Sequence, residues 1–360
     1  MKKRLPIGIS DFETLITGGN VYVDKTPLIY RLVTEGMFYF LSRPRRFGKS
    51  LLLSTFKALF QGKRKLFEGL WISQSDWQWE SYPVIEFNFS EIDLDTPEQL
   101  RAALMSKLHR YGKEVGVQVH PELLRHSFSE LIIGMGKKYG RPVVVLVDEY
   151  DQPLINHLGK GEKQLEVARQ NREILRSFFG VLKGGNVAPW LRFVFITGIS
   201  KFTRVSLFSG LNNLKDLTMH AGYAELLGYT HEELKHYFTP WLKEFAHQKG
   251  VSVQEILNGL ETWYNGYRFS RRDVRVYNPF SILNALEEFE FKNYWFETAT
   301  STFLLELIKE RNFPVPDLEH LEMSEEDFTT YDIDRLQLAP LLFQTGYLTI
   351  QDYDGVLYRL

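Results

Sequence analysis

The pattern of apolar and polar positions changes character near residue 215. Before that point, short apolar runs alternate with amphipathic stretches, which is typical of a parallel sheet covered by helices. The apolar runs predict strands at residues 37–42, 83–89, 143–147 and 191–197. The amphipathic stretches predict helices at residues 49–60, 97–111, 121–138 and 162–182. The first part of the chain therefore predicts an α/β fold.

After residue 210 the pattern changes to short helices, predicted at residues 229–239, 253–258 and 281–289. An aromatic loop is predicted at residues 263–269. Near the end, apolar residues 345–350 and 356–360 flank an Asp-Tyr-Asp-Gly turn, which predicts a β-hairpin. A helix-rich segment that ends in a hairpin favours a winged-helix-like module.

We therefore expect three parts: a core at residues 1–220, a helical lid at 221–300 and a winged-helix-like segment at 301–360. The last predicted strand ends at Leu360 without a polar tail. We expect either that this strand docks firmly or that the segment is cut short at its C-terminus.

The loop between the first predicted strand and its helix carries a phosphate-binding pattern. Gly48, Lys49 and Ser50 supply the second half of the motif G-x-x-x-x-G-K-[ST], in the strand–loop–helix context that the motif requires. Glycine lets the backbone approach phosphates, and the amides at a helix start attract an anion. We expect Lys49 to reach the β- and γ-phosphates of ATP and the Ser50 hydroxyl to ligate Mg²⁺.

The loop departs from that motif at its first position, where Arg43 replaces glycine. Alone, the half-motif also fits a lysine-bearing helix start with an N-cap. Three arginines within four residues, Arg43, Arg45 and Arg46, favour an anion site. Arg45 or Arg46 is expected either to contact phosphate or to pair with an acid of the N-terminal segment. The predicted nucleotide-binding residues of this loop are Arg43, Pro44, Arg45, Arg46, Phe47, Gly48, Lys49, Ser50 and Leu51.

Two acids follow the apolar run at residues 143–147 directly. An unbroken apolar strand that ends in Asp148 and Glu149 is typical of a Walker B strand. We expect Asp148 to hold Mg²⁺ through water and Glu149 to polarise the attacking water. A strand that runs out into a polar loop gives the same letters, but the two half-motifs together predict a nucleoside triphosphatase. Asp151 is expected to cap a helix or to support this pair.

The end of the fourth predicted strand offers further candidates. In ATPases of the additional-strand type, a polar residue here lies between the phosphate loop and the acidic strand and senses the γ-phosphate. Thr197 is the first candidate and Ser200 the second, the alternative being an ordinary threonine at a strand end. Arg204 is a candidate arginine finger acting on a neighbouring molecule, or else a surface arginine.

Composition narrows the function classes. The chain has no cysteine, which excludes disulfides and thiolate zinc sites, and its formal net charge of -2 leaves nucleic-acid contact to a local patch. The basic N-terminus lacks a signal peptide's apolar core, and no apolar stretch reaches about 18 residues, so we expect a cytoplasmic protein without membrane contact. The 27 Phe and 18 Tyr are spread along the chain, which favours aromatic core packing over a base-stacking platform.

Seven blocks of the sequence resemble, in order, those of the bacterial AAA-ATPase-like family. They are residues 6–12, 22–26, 42–51, 147–154, 208–214, 263–269 and 277–279. The resemblance implies a P-loop NTPase core of the additional-strand, AAA/STAND-like type, in which residues 43–50 serve as the phosphate loop despite Arg43. It implies that Tyr22, Asp24 and Lys25 lie in the segment that covers adenine. It also implies that Asn278 and Pro279 act as the proline motif of the lid. Many members continue into a PD-(D/E)XK nuclease-like domain, which we do not find in this chain.

Two functions remain open. In the first, ATP binding and Mg²⁺-dependent hydrolysis drive a conformational switch that controls an effector or partner. In the second, the chain is a non-hydrolysing ATP-binding module that recognises a protein or nucleic-acid partner. A protein partner or self-association fits either function. A nucleic-acid-binding winged helix with a vestigial core is disfavoured by the acids of the last segment, which are Glu319, Glu322, Glu325, Glu326 and Asp327.

Overall fold

The computed structural model describes residues 3–92, 94–201, 211, 213–295, 321–328 and 337–360. Its core is a five-stranded sheet in the order β2-β3-β4-β1-β5, and every pairing is parallel. The strands are β1 Phe38–Ser42, β2 Val84–Asn88, β3 Val143–Asp148, β4 Leu191–Gly198 and β5 Lys215–Asp216. The first four confirm the predicted strands because each is an apolar run. The two residues of β5 carry no such pattern.

Helices cover both faces of this sheet. On one face, Val144 and Leu146 of β3 share a core with α1 Phe12–Thr17, α2 Thr26–Glu35 and α3 Lys49–Phe60. On the other face, alternate residues of β3 pack with α4 Pro97–Val115, α5 Leu124–Tyr139 and α7 Glu162–Phe179. The four-residue α6 Gln152–Ile155 follows β3 directly. Burial on both faces explains why β3 is an unbroken apolar run.

A second layer of helices follows the sheet. It consists of α8 His231–Lys249, α9 Val253–Tyr264 and α10 Pro279–Glu288, which share a core with Val21 and Val23 of the N-terminal segment. Two of the predicted helices end too early here: α8 continues past Pro240, and α9 includes the first two residues of the predicted aromatic loop. The rest of that loop contributes β6 Tyr267–Arg268, which pairs antiparallel with β7 Arg275–Val276.

The C-terminal hairpin differs in register from the prediction. Residues 345–350 were predicted to be a strand, but α11 Leu338–Thr345 occupies the preceding stretch and the chain then runs irregularly to Gln351. The paired strands are β9 Asp352–Tyr353 and β10 Tyr358–Arg359, with β8 Glu322–Met323 on the other side of β10. Asp354 forms the turn by accepting hydrogen bonds from the amides of Val356 and Leu357. The residues assigned to the turn therefore begin the first strand.

Residues 296–320 and 329–336 lie outside the described residues, so the winged-helix-like segment stays a prediction. The three-part division of the chain stays a prediction as well. Within the described ranges, no helix combines the length and apolar character needed to cross a membrane.

Candidate nucleotide site

The phosphate loop connects β1 to α3, and its glycine turn begins the helix as predicted. Gly48 is the N-cap of α3, with φ 91° in the left-handed region that favours glycine. No side chain caps this helix start. The first N–H groups of α3 therefore have no partner within the helix and are available to an anion.

Lys49 is buried beneath this turn. Its ammonium Nζ donates to the carbonyl oxygens of Arg43, at 3.0 Å, and Pro44, at 2.9 Å. Burial lowers the pKa of the ammonium, and the charges of Asp148 and Glu149 oppose that effect. Lys49 therefore holds two carbonyls of its own loop and is close enough to interact electrostatically with Asp148 and Glu149.

Ser50 and Asp148 are in direct contact. The Ser50 hydroxyl donates a hydrogen bond of 2.6 Å to Asp148 Oδ2. Asp148 is only 4% exposed, and burial raises the pKa of its carboxyl against the effects of Ser50 and Lys49. A hydroxyl and a carboxylate side by side are hard oxygen ligands of the kind that Mg²⁺ prefers, so the two residues fit that ion.

Glu149 follows in an unusual backbone conformation. Its φ of 50° lies in the left-handed region, although it carries a side chain. Its amide donates to Asp148 Oδ1 at 3.0 Å, and its Oε2 accepts from the side-chain amide of Gln152 at 3.1 Å. Glu149 and Gln152 both line the cavity over the phosphate loop.

That cavity has a volume of about 550 Å³, and its lining includes four parts of the chain. These parts are the N-terminal segment around Gly8, the phosphate loop, the turn after β3, and the start of α10 at Pro279. A smaller, more apolar cavity of about 70 Å³ adjoins it and shares Gly48, Leu51 and Pro279. A polar cavity at a helix start beside an apolar pocket has the layout that the phosphates and base of a nucleotide require.

A larger groove of about 760 Å³ lies between α4 and α7. Its lining includes arginines and glutamates that pair with one another, such as Arg169 with Glu166. None of its lining residues belongs to the phosphate loop or to the turn after β3. Size alone therefore does not indicate the candidate site, because the residues of the phosphate loop and of the turn after β3 line the cavity of about 550 Å³ and not this groove.

The N-terminal segment reaches the smaller cavity with two of its three predicted residues. Tyr22 and Lys25 line that cavity, and Lys25 Nζ forms an ion pair of 2.6 Å with Glu233 of α8. Asp24 instead fixes the start of α2, because its Oδ1 accepts from the amide and hydroxyl of Thr26. Asp24 itself is not among the residues that line either cavity.

The arginines of the loop divide into two groups. Arg45 and Arg46 line the larger cavity, and neither forms an ion pair with an acid in the described part of the chain. The guanidinium of Arg46 lies 5.0 Å from the ring centre of Phe280. Arg43 is 1% exposed, and its side chain runs to Thr218 and Phe269 rather than into the cavity. The arginine in the place of the first glycine is thus part of the loop's attachment to its surroundings.

Two further loop residues contact the second half of the chain. Phe47 packs edge-on against Tyr267 and Phe269, with ring centres 4.9 and 5.4 Å apart. Pro44 lies so close to Gly346 that a Cβ added to the glycine would come within 3.0 Å of the proline ring. The phosphate loop is therefore packed against β6 and the end of α11.

The residues predicted at the end of β4 make internal contacts. Thr197 is buried and donates its hydroxyl to Leu41 O of β1 at 2.8 Å, and Ser200 donates its hydroxyl to Asp151 at 2.7 Å. Neither lines the cavity in this structure. Arg204 lies outside the described residues. Asn278 caps α10 by accepting from the amide of Ser281, which places Pro279 at the edge of both cavities.

Sequence reasoning missed several contributors to the site, among them Pro6, Tyr229 and Gln152. All three line the larger cavity, and the first two also line the smaller one. The position of Gln152 three residues after Glu149 is a signal for a contact across one helical turn. Nothing in the local sequence signals the role of Pro6 or Tyr229, because both reach the site through tertiary packing.

Comparisons with known proteins add to this geometry. The profile of a family described as predicted AAA-ATPase matches residues 6–208. A protein of Azotobacter chroococcum mcd 1, described as the uncharacterized protein in the vnfD 5′ region, is 38% identical over 351 residues. The aligned region covers 97% of this chain and 64% of that relative, so the chain spans slightly less than two thirds of the relative's length. No solved structure matches the chain.

Proposed function

Since the chain belongs to the predicted AAA-ATPase family, we propose that it binds ATP with Mg²⁺ and hydrolyses it as a conformational switch. The contact between Ser50 and Asp148 carries the proposal. A hydroxyl that lines the cavity at a glycine-turn helix start contacts a carboxylate at a buried strand end. This is the arrangement that Mg²⁺-dependent phosphoryl transfer uses in P-loop enzymes.

Each residue has a distinct part in the proposed reaction. The free amides of the first turn of α3 hold the phosphates, and Lys49 exchanges its loop carbonyls for phosphate oxygens. Ser50 and Asp148 hold Mg²⁺, which when bound neutralises charge that develops on the phosphates. Glu149, at the rim of the same cavity, accepts a proton from the attacking water. Arg45 and Arg46 lie where they can balance the negative charge of the phosphates.

The base of the nucleotide fits the smaller cavity. Tyr22, Leu227 and Tyr229 give it apolar walls, and Lys25 is the charged residue among its lining. That ammonium is already paired with Glu233, so neither charge is free to select a base. We therefore expect the apolar walls of the pocket, and not a charged contact, to hold the base.

The strand order supports a core of the additional-strand type, because β4 lies between β1 and β3. Thr197 then lies on the strand between the two motifs and is the proposed sensor of the γ-phosphate. In that role it would release Leu41 O and turn toward the nucleotide.

The switch is supported by what surrounds the loop. Arg46 and Pro279 connect the phosphate-binding residues to α10 of the proposed lid, and Phe47 connects them to β6. A nucleotide that draws Lys49 away from Arg43 O and Pro44 O would change the conformation of the phosphate loop, which contacts α10 and β6. Movement of packed elements about such a loop is a known form of switching.

Nucleotide turnover tests the proposal. Wild-type protein should release phosphate from ATP only with Mg²⁺ present. Lys49→Ala should lose both turnover and tight nucleotide binding, while Glu149→Gln should bind ATP normally and lose turnover. Lys57→Ala is a matched lysine control, because Lys57 lies in the last turn of α3 and its ammonium pairs with Glu86 of β2. Tight ATP binding without phosphate release would favour the second function, a non-hydrolysing ATP-binding module.

A further inference from the structure

One residue of the turn after β3 has a strained backbone conformation. Glu149 holds a φ of 50°, a conformation that residues with a side chain rarely adopt. The bonds of Glu149 to Asp148 and Gln152 lie within the same short segment. Such a conformation persists only where the surrounding structure imposes it.

Asp151, two residues after Glu149, attaches this segment to the end of β4. One carboxylate oxygen of Asp151, Oδ2, accepts hydrogen bonds from Ile199 N at 3.0 Å, Ser200 N at 2.7 Å and Ser200 Oγ at 2.7 Å. The carboxylate is fully buried. Three donors on one buried oxygen make a rigid attachment between two strand ends.

Tyr150 adds a second attachment between the same segments. Its amide donates to Thr197 O at 3.2 Å, and its hydroxyl donates to Ser200 O at 2.8 Å. The residues on both sides of this attachment are buried. The two residues that follow Glu149 are thus both tied to the segment at residues 197–200.

Gly198 makes this close approach possible. A Cβ at that position would lie 2.5 Å from Asp151 Oδ1 and 2.7 Å from the ring of Tyr150. Both distances are shorter than real Cβ contacts, so a larger residue would push the turn away from β4. Gly198 leaves the space for the close approach, and Asp151 makes the hydrogen bonds across it.

An ordinary helix cap does not account for Asp151. The residue precedes α6, but its side chain makes no capping hydrogen bond to that helix. It also does not line the cavity, so it is not placed to touch nucleotide. Its carboxylate is directed wholly toward β4.

We propose that Asp151 is a positioning residue for hydrolysis, which holds the Glu149 turn against the end of β4. This inference rests on the proposed ATPase function. Every residue of β1 pairs with a residue of β4. The attachment therefore also fixes Glu149 relative to the phosphate loop that follows β1. Glu149 then reaches the attacking water in one orientation, and the residue that secures this never contacts the reacting atoms.

The test separates chemistry from binding in full-length protein. Asp151→Ala should lower kcat for phosphate release by about 100-fold, the cost of a misplaced catalytic group, and change the Kd for ATP by less than about threefold. Asp151→Asn keeps an oxygen that can accept from Ile199 and Ser200, so it should retain kcat within about tenfold of wild type. Asp354→Ala is the matched control, since that carboxylate also accepts two backbone amides, but in the β9–β10 turn. Its kcat should equal that of wild type.

Tyr150→Phe provides a milder variant in case Asp151→Ala does not fold. It removes the hydroxyl bonded to Ser200 O and should lower kcat by about tenfold with Kd unchanged. An unchanged kcat in Asp151→Ala, or in Tyr150→Phe where that is the folded variant, would overturn the inference, as would equal losses of kcat and ATP affinity. Wild-type turnover distinguishes the two claims. Its absence would overturn the proposed function together with this role, whereas wild-type turnover with an unaffected variant would overturn this role alone.

Discussion

Ser50 Oγ lies 2.6 Å from Asp148 Oδ2, although 98 positions of sequence separate the two residues. The contact joins the helix that begins with the phosphate loop to the strand that ends in the acidic pair. Asp148 is a buried carboxylate. The Ser50 hydroxyl and the nearby Lys49 ammonium favour its charged form, but burial outweighs them and raises its pKa. A bound cation would supply the missing positive charge.

Mg²⁺ should therefore stabilise the protein through Asp148. We expect ATP with Mg²⁺ to raise the Tm of wild-type protein, by an amount equivalent to about 2.7 kcal/mol at a ligand concentration of 100 times Kd. Asp148→Asn should lose the part of this increase that Mg²⁺ adds, because a neutral amide is a weak ligand for the ion. Thermal melts with ATP, in the presence of Mg²⁺ or of EDTA, measure the difference. An equal Mg²⁺ increment in Asp148→Asn and in the control Asp354→Asn would contradict the assignment.

The same carboxylate should make stability depend on pH in the absence of Mg²⁺. Burial raises the pKa of Asp148 above its ordinary value of 3.8. The folded state then keeps this proton to a higher pH than the unfolded chain, so the contribution of Asp148 to the free energy of unfolding falls as pH rises through that window. Asp148→Asn should become progressively more stable relative to wild type as pH rises above about 4. Urea unfolding in EDTA would show this, and a difference that does not vary with pH would count against it.

Phe269 should support both folding and nucleotide binding. Its ring lies 4.2 Å from the guanidinium carbon of buried Arg43 and packs against Phe47. Phe269→Leu should lower the free energy of unfolding by about 2 kcal/mol, through loss of a cation–π contact and an aromatic pair. It should also weaken ATP binding, since the phosphate loop loses an anchor.

Phe291→Leu is the matched control for that change. Phe291 packs against Phe245 in the helical layer and does not touch the loop. Its substitution should lower stability and leave the Kd for ATP unchanged. Urea unfolding and titration with a fluorescent ATP analogue provide both readouts. If the two phenylalanine variants bind ATP equally well, Phe269 does not anchor the loop.

Gly346 should be required for the contact between α11 and the phosphate loop. It has φ 87°, and an added Cβ would lie 3.0 Å from Pro44. Gly355 also has positive φ, at 105°, but its Cβ position is open. Gly355→Ala should cost about 1 kcal/mol of stability from backbone strain alone, and Gly346→Ala about 1 kcal/mol more from the added clash. Denaturant unfolding of the two variants compares the costs, and equal values would mean that the clash is relieved without strain.

Much of the fold could be predicted because its elements carry local patterns. The prediction of α3 at residues 49–60 is confirmed to the residue, since an apolar face begins directly after the Gly48 turn. The hairpin at the C-terminus was placed wrongly because residues 345–350 carry several apolar side chains, while the first strand of the hairpin, β9, is the short pair Asp352–Tyr353. A strand of two residues is stabilised by its pairing with neighbouring strands. It is too short to show a pattern of apolar and polar residues that could be recognised in the sequence.

The sequence by itself determined the Gly48 turn that begins α3 and the acidic end of β3, because both depend on residue types at short spacing, and from them it predicted the nucleotide chemistry. Only the tertiary structure decided where the side chains point. Arg43 stands in the motif, yet its guanidinium donates to Thr218 O, 175 positions away, because burial beside Phe269 offers it a carbonyl and a ring. The contact of Ser50 with Asp148 and the attachment of Asp151 to Ser200 likewise depend on how the helices and strands pack, with β3 beside β4 and β4 beside β1. Strand order is set by packing across the whole core, and no local pattern of residues encodes it.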